Sequence, residues 1–214
     1  MEPPVTVADE YEEDGTSDSS THIRDAKVQL LKAMSPVKLE NLVVGQYTKN
    51  DEGDVGYLDD PTVPEGSITP TYAVAVMNIN NRRWDGVPFI MKAGKALDQR
   101  KAEIRIQFKD APAVGFMFPG NPFSRNELVM RIQPDEAVYL KVSMKAPGLR
   151  TEPVTSELDM SYKSRFAEAY NPDAYTRLLL ETLRGKQATF VRSDELLESW
   201  RNLHIYGLTL LCMM

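Results

Sequence analysis

The sequence predicts an α+β fold, a large and mainly antiparallel sheet backed by helices. Three observations carry that expectation. Several segments alternate apolar and polar residues with a period of two, the mark of strands with one buried face. These segments follow one another directly in the middle of the chain. Helical periodicity, by contrast, is concentrated at the two ends. A doubly wound parallel sheet would instead interleave helices with continuously apolar strands.

From Ile23 to Met34 the apolar residues Ile23, Ala26, Leu30, Leu31 and Met34 recur at helical spacing, and Pro36 ends the run. Asn41 to Tyr47 reads as a strand. Residues 48–70 form a long loop punctuated by Gly53, Gly56, Pro61, Pro64, Gly66 and Pro70, and Asp59-Asp60-Pro61 starts a turn. A loop of that length is usually functional or packed against something else. Thr71 to Ile79 alternates, Asn80-Asn81 supplies a turn, and Val87 to Met91 is a short apolar strand.

Glu103 to Phe108 points Ile104, Ile106 and Phe108 inward and Glu103, Arg105 and Gln107 outward. After a Pro/Gly-rich loop (Pro112 to Pro122), Glu127 to Gln133 sends Leu128, Met130 and Ile132 in and Val129, Arg131 and Gln133 away. A further strand buries Val138, Leu140, Val142 and Met144 and shows Tyr139, Lys141 and Ser143 on its other face. Asp173 is placed to cap a helix running to Arg184, with Tyr175, Leu178, Leu179, Thr182 and Leu183 on one face and Gly185 as its stop. Ser193 is placed to cap the last helix, with Asp194 and Glu195 in its first turn.

The chain has 214 residues, enough for one domain with a tail. Residues 1–20 hold seven acids and no Lys or Arg, which leaves 24 acids against 25 bases elsewhere. The expected organisation is a disordered acidic arm over 1–22, a domain over 23–203 and an apolar tail over 204–214. Cys212 is the single cysteine, so no internal disulfide or Cys-based zinc site is available. No glycosylation acceptor, signal peptide or membrane-length apolar stretch is visible, which favours a cytoplasmic protein without a membrane partner. A sequence pI near 5.1 and the absence of a recognisable nucleic-acid motif speak against nucleic acid. Neither His22 nor His204 has a setting that suggests general acid–base work. The twelve glycines contain no G-x-G, hence no dinucleotide fingerprint or P-loop.

The informative feature is basic. Lys92, Lys95, Arg100, Lys101 and Arg105 fall within 14 residues, against Asp98 and Glu103. Strand periodicity continues that surface through Arg131, Gln133, Tyr139 and Lys141. Guanidinium forks and ammonium groups gathered on one sheet face suit a phosphorylated ligand. A solvated face whose bases pair with neighbouring acids fits the same residues.

Long gap-free words carry a resemblance: V-V-G-Q-Y at 43–47, Y-L-D-D-P-T-V-P at 57–64, R-W-D-G-V-P-F-I-M-K-A-G-K-A-L at 83–97 and R-K-A-E-I-R-I-Q-F at 100–108. They continue with R-N-E-L-V-M-R-I-Q-P at 125–134, S-E-L-D at 156–159, P-D-A-Y at 172–175 and F-V-R-S-D-E-L at 190–196. Over residues 23–203 the sequence resembles the C-terminal domain of the glucose-6-phosphate dehydrogenases. The resemblance implies NADP-dependent oxidation of glucose 6-phosphate to 6-phosphogluconolactone in the pentose phosphate pathway. It also implies sugar-phosphate contacts at Lys95, Arg100 and Gln133. A structural NADP would meet Lys92, Lys101, Arg105, Arg131, Tyr139, Lys141 and Asp159, and a homo-oligomer would form through the sheet. Lys92 stands where the family often has Arg, which weakens bidentate phosphate contact there.

Two family segments have no match here: the N-terminal Rossmann domain with its G-x-x-G-D-L-A loop, and D-H-Y-L-G-K, whose His is the hydride-transfer base. Beyond Arg201 the sequence also leaves the family pattern. The expectation is therefore a partial chain, inactive as a dehydrogenase on its own. The alternative is a non-catalytic NADP-binding or dimerisation module that pairs with a full-length subunit.

Overall fold

The computed structural model describes residues 19–110, 124–149, 153–168, 172–205 and 208–209. The expected disorder of the acidic arm before Ser19 and the Pro/Gly-rich loop after Asp110 lie outside the described residues. In chain order the elements begin with α1 (Ser19–Ala33), β1 (Leu42–Gly45), β2 (Tyr72–Asn78), β3 (Pro88–Gly94) and β4 (Ala102–Gln107). Then come β5 (Glu127–Gln133), β6 (Ala137–Lys145), β7 (Pro153–Ser161), α2 (Tyr162–Arg165), α3 (Ala174–Leu183) and α4 (Ser193–Leu203). The short strands β8 (His204–Ile205) and β9 (Leu208–Thr209) pair with each other. Helices at the ends and a run of antiparallel strands between them give the α+β class that the alternation predicts. α1 begins at Ser19, so residues 19–22 are helical where the sequence suggested an arm.

Two compact units are present: one of residues 1–96 and 173–214, the other of 97–172. In the first, β1, β2 and β3 form an antiparallel sheet in that order. Along β2 the side chains of Ala73, Ala75 and Met77 are buried in alternation. They meet Val37 and Leu203, with Met34, Leu42, Phe89 and Met91 packed around them. Small residues on β2 leave room for this packing, and Met77 fills what they leave.

The last carbonyls of a helix have no partners within it. For α1 those partners come from α4: Arg201 donates to the carbonyls of Leu31 and Met34 at 3.0 and 3.2 Å. The buried Asn202 donates its amide to Leu31 at 2.8 Å. Near the start of α4, Arg192 binds Asp25 of α1 and its own neighbour Asp194, each at 2.6 Å. Ser193 is already helical; the Arg192 carbonyl accepts the first helical bond, from Leu196 at 2.9 Å. The cap therefore falls one residue earlier than Ser193, since the Glu195 carboxylate accepts the Arg192 N–H at 3.4 Å.

β1 is shorter than the strand expected over Asn41 to Tyr47: Gln46 and Tyr47 serve the following loop. The Gln46 amide donates to the carbonyls of Ser67 and Thr69 at 2.8 and 2.7 Å. Tyr47 accepts from the Tyr57 N–H at 3.1 Å and stacks edge-on against its ring. The loop over 48–70 is thus packed onto its own strand.

In the second unit the antiparallel order is β4-β5-β6-β7. Residues opposite one another share a face. One row reads Arg105, Val129, Tyr139, Asp159, and a row on the other face reads Ile106, Leu128, Leu140, Leu158. The alternation is as expected, but the most deeply buried positions lie on the polar face. Val129 is 0% exposed and Tyr139 7%, whereas Ile104 is 51% and Leu158 64% exposed. The cationic groups of Arg131 and Lys141 lie close to the Tyr139 ring. On the apolar face Ile104, Ile106, Ile132, Met144 and Leu158 are exposed, and Leu128, Met130, Val138, Leu140 and Val142 are half-buried.

Candidate anion-binding site

The polar face of the second sheet forms a concavity of about 280 Å³, lined by Lys101, Arg105, Arg131, Tyr139, Lys141 and Asp159 with Gln99, Ala137 and Glu157. Antiparallel register explains the gathering. Arg105 and Asp159 end one row across four strands, with Tyr139 between them. Arg131 and Lys141 flank that row. The Arg131 guanidinium carbon is 5.8 Å and the Lys141 Nζ 5.7 Å from the Tyr139 ring centre, both within cation–π range.

Three of the four cations are ion-paired. Lys101 Nζ lies 3.2 Å and Arg105 Nε 2.7 Å from the same oxygen of Glu103. Arg105 also reaches Glu127 at 3.2 Å, and Lys141 reaches Glu157 at 3.1 Å. Burial pushes the Glu103 carboxyl upward, but hydrogen bonds from Arg105 and Lys101 and their charge outweigh it and hold it below the usual range. The hydrogen bond to Glu103 raises the Arg105 guanidinium in turn, so it stays charged. Among the described residues Arg131 has no ion pair, and its Nε is buried without a hydrogen-bond acceptor. An orphaned, charged donor in a concave site favours an anion there.

The structure brings six of the seven residues expected around a structural nucleotide to this one place. Lys92 belongs to the other unit, on β3, where its ammonium lies 5.7 Å from the Tyr72 ring centre. Of the three expected sugar-phosphate residues, Lys95 follows β3 in the first unit, and its N–H donates to the Thr71 carbonyl at 2.8 Å. Arg100 and Gln133 belong to the second unit, at one end of the sheet, since Gln133 stands opposite Ala102. All three side chains are exposed. Sequence reasoning overlooked Glu103 as a site residue, although its place two residues before Arg105 puts both on one face of β4.

An α+β protein with a cationic, concave sheet face is the class that fold and site define. The sequence model described as glucose-6-phosphate dehydrogenase, C-terminal domain, matches residues 11–205. The chain belongs to that family. Glucose-6-phosphate 1-dehydrogenase 5, cytoplasmic, of Arabidopsis thaliana is 53% identical over 179 residues, covering 84% of this chain and 33% of that protein. The glucose-6-phosphate 1-dehydrogenase of Dictyostelium discoideum is 50% identical over 202 residues, covering 94% and 38%. A solved glucose-6-phosphate dehydrogenase in complex with its substrate glucose-6-phosphate superposes with a TM-score of 0.78 at 45% identity, covering 89% of this chain and 39% of that one. The chain thus spans about a third of the length of the curated relatives it matches.

Proposed function

We propose that this chain is the part of a cytoplasmic, NADP-dependent glucose-6-phosphate 1-dehydrogenase that holds sugar phosphate and a structural nucleotide. The whole enzyme would oxidise glucose 6-phosphate to 6-phosphogluconolactone. Lys95, Arg100 and Gln133 are assigned to the sugar phosphate from the motifs they occupy. Lys101, Arg105, Arg131, Tyr139, Lys141 and Asp159 are assigned to NADP, with Lys92 as a further basic contact. NADP would supply phosphate charge to the concavity. The free Arg131 Nε and the acceptor carboxylate of Asp159 fit a ligand that carries both phosphate oxygens and hydroxyl or amide donors. No residue of the chain is assigned to proton abstraction.

The carrying observation is the convergence of six motif residues on one concavity with an unpartnered guanidinium nitrogen. Calorimetric titration of the 214-residue chain with NADP tests it. Saturable binding, weakened tenfold or more by Arg131→Ala, is the expected result; flat traces for both proteins would overturn the assignment. Among the described residues no helix is long and apolar enough to cross a membrane, and no group of three His, Cys, Asp or Glu could hold a metal. Neither a membrane nor a nucleic acid is part of the proposal.

The open apolar sheet face supports a second element of the reading, a homo-oligomer in which another copy covers that face. It equally favours a non-catalytic module that pairs with a full-length subunit. Co-purification with such a subunit tests the module: retention of the partner through gel filtration supports it, and loss of the partner overturns it.

A further inference from the structure

Glu103 shares a strand face with Arg105 on β4, Lys101 immediately precedes that strand, and the Glu103 side chain is only 14% exposed. One of its oxygens receives both cations, at 3.2 and 2.7 Å. The other is buried and has no hydrogen-bond partner among the described residues. Directly across the ladder from Glu103 stands Arg131, whose own Nε is also without one. The carboxylate nearest to Arg131 in the register is thus committed to two other cations.

Such an arrangement has two consequences. Lys101 and Arg105 are long side chains that would otherwise sample many rotamers, and a shared oxygen holds both at the rim of the concavity. A ligand that meets them there loses less of its binding energy to ordering them. Arg131, left unneutralised, keeps its full charge for the ligand.

We propose that Glu103 is a positioning residue, which ties Lys101 and Arg105 into one fixed cationic pair and leaves Arg131 free for a phosphate of the bound nucleotide. This rests on the nucleotide reading of the concavity given above. Removing a carboxylate from a cationic site raises its positive potential, so charge alone predicts tighter anion binding by Glu103→Gln. Positioning predicts the opposite for a ligand that must meet several cations at once.

The experiment compares wild type, Glu103→Gln and Glu103→Asp of the full 214-residue chain by calorimetry, with NADP and with inorganic pyrophosphate, alongside thermal unfolding. The expected result is NADP binding weakened about fivefold or more in Glu103→Gln, with partial recovery in Glu103→Asp and pyrophosphate affinity unchanged or increased. NADP binding that is unchanged or tighter in Glu103→Gln overturns the positioning role and leaves the nucleotide reading standing. Equal losses for both ligands together with a lowered unfolding temperature overturn it in favour of a role in the fold alone. A wild type that binds pyrophosphate but not NADP overturns the nucleotide reading itself, and this proposal with it.

Discussion

Gly56 sits where an added Cβ would lie 2.8 Å from the Lys49 backbone nitrogen and 3.1 Å from a carboxylate oxygen of Asp59. That carboxylate accepts the Gly56 N–H at 2.8 Å, so backbone and side chain close in from two sides. Gly56→Ala is therefore expected to destabilise the chain by about 1–3 kcal/mol, the usual cost of overpacking, as measured by urea unfolding. Val129 poses the reverse case. It is wholly buried on the polar face of the second sheet, opposite Arg105 in the register. Truncation to Ala is expected to cost about 2 kcal/mol in the same measurement and to loosen the floor on which Tyr139 rests. A cost below about 0.5 kcal/mol would show that the polar face is not packed as described.

At the scale of an element, α3 shows how far a helix is written in its ends. Asp173 accepts the N–H groups of Tyr175 and Thr176 at 2.9 and 3.0 Å, and the Thr176 hydroxyl at 2.7 Å. Gly185, with φ of +70°, closes the other end. The Thr176 side chain, and then the backbone N–H groups, hold the Asp173 carboxyl below its usual range. Because the folded value is depressed, the contribution of this cap is present above the unfolded carboxylate value of about 3.9 and is lost as pH falls through the folded one. Asp173→Ala is expected to lower helicity at neutral pH and to flatten this part of the acid titration, both read by circular dichroism. The α1–α4 junction depends on Arg201 in a related way. Arg201→Ala is expected to cost about 1 kcal/mol, since it strips donors from carbonyls that α1 cannot satisfy itself.

The exposed apolar rows of the second sheet matter for the whole molecule. Ile106, Leu128, Leu140 and Leu158 form one continuous cross-strand row, and Ile106 and Leu158 within it are exposed. Patches of this kind mark association surfaces. Sedimentation is expected to show self-association that Leu158→Glu abolishes; a monomeric wild type at micromolar concentration would sink the homo-oligomer. The 214-residue chain expressed on its own is expected to give no NADPH absorbance above a blank with glucose 6-phosphate and NADP. Turnover above that blank would require a base that the present assignment does not contain.

Much of this was legible in the residues themselves. Asp173 and Gly185 named the ends of α3, alternation placed Arg105, Arg131 and Lys141 on one face, and the conspicuous words around Lys95, Arg100 and Gln133 declared the family. Periodicity and capping are local properties, and local chemistry suffices to read them. What it could not decide was which face of the second sheet would be covered. Alternation says that two faces differ; only the assembled molecule shows what lies over each. Here Val129 and Tyr139 are buried, while Ile104, Ile106 and Leu158 of the opposite face are exposed. The pairing of one Glu103 oxygen with two cations, and the Arg131 nitrogen left without an acceptor, likewise depend on cross-strand register, which brings together residues that the chain keeps far apart.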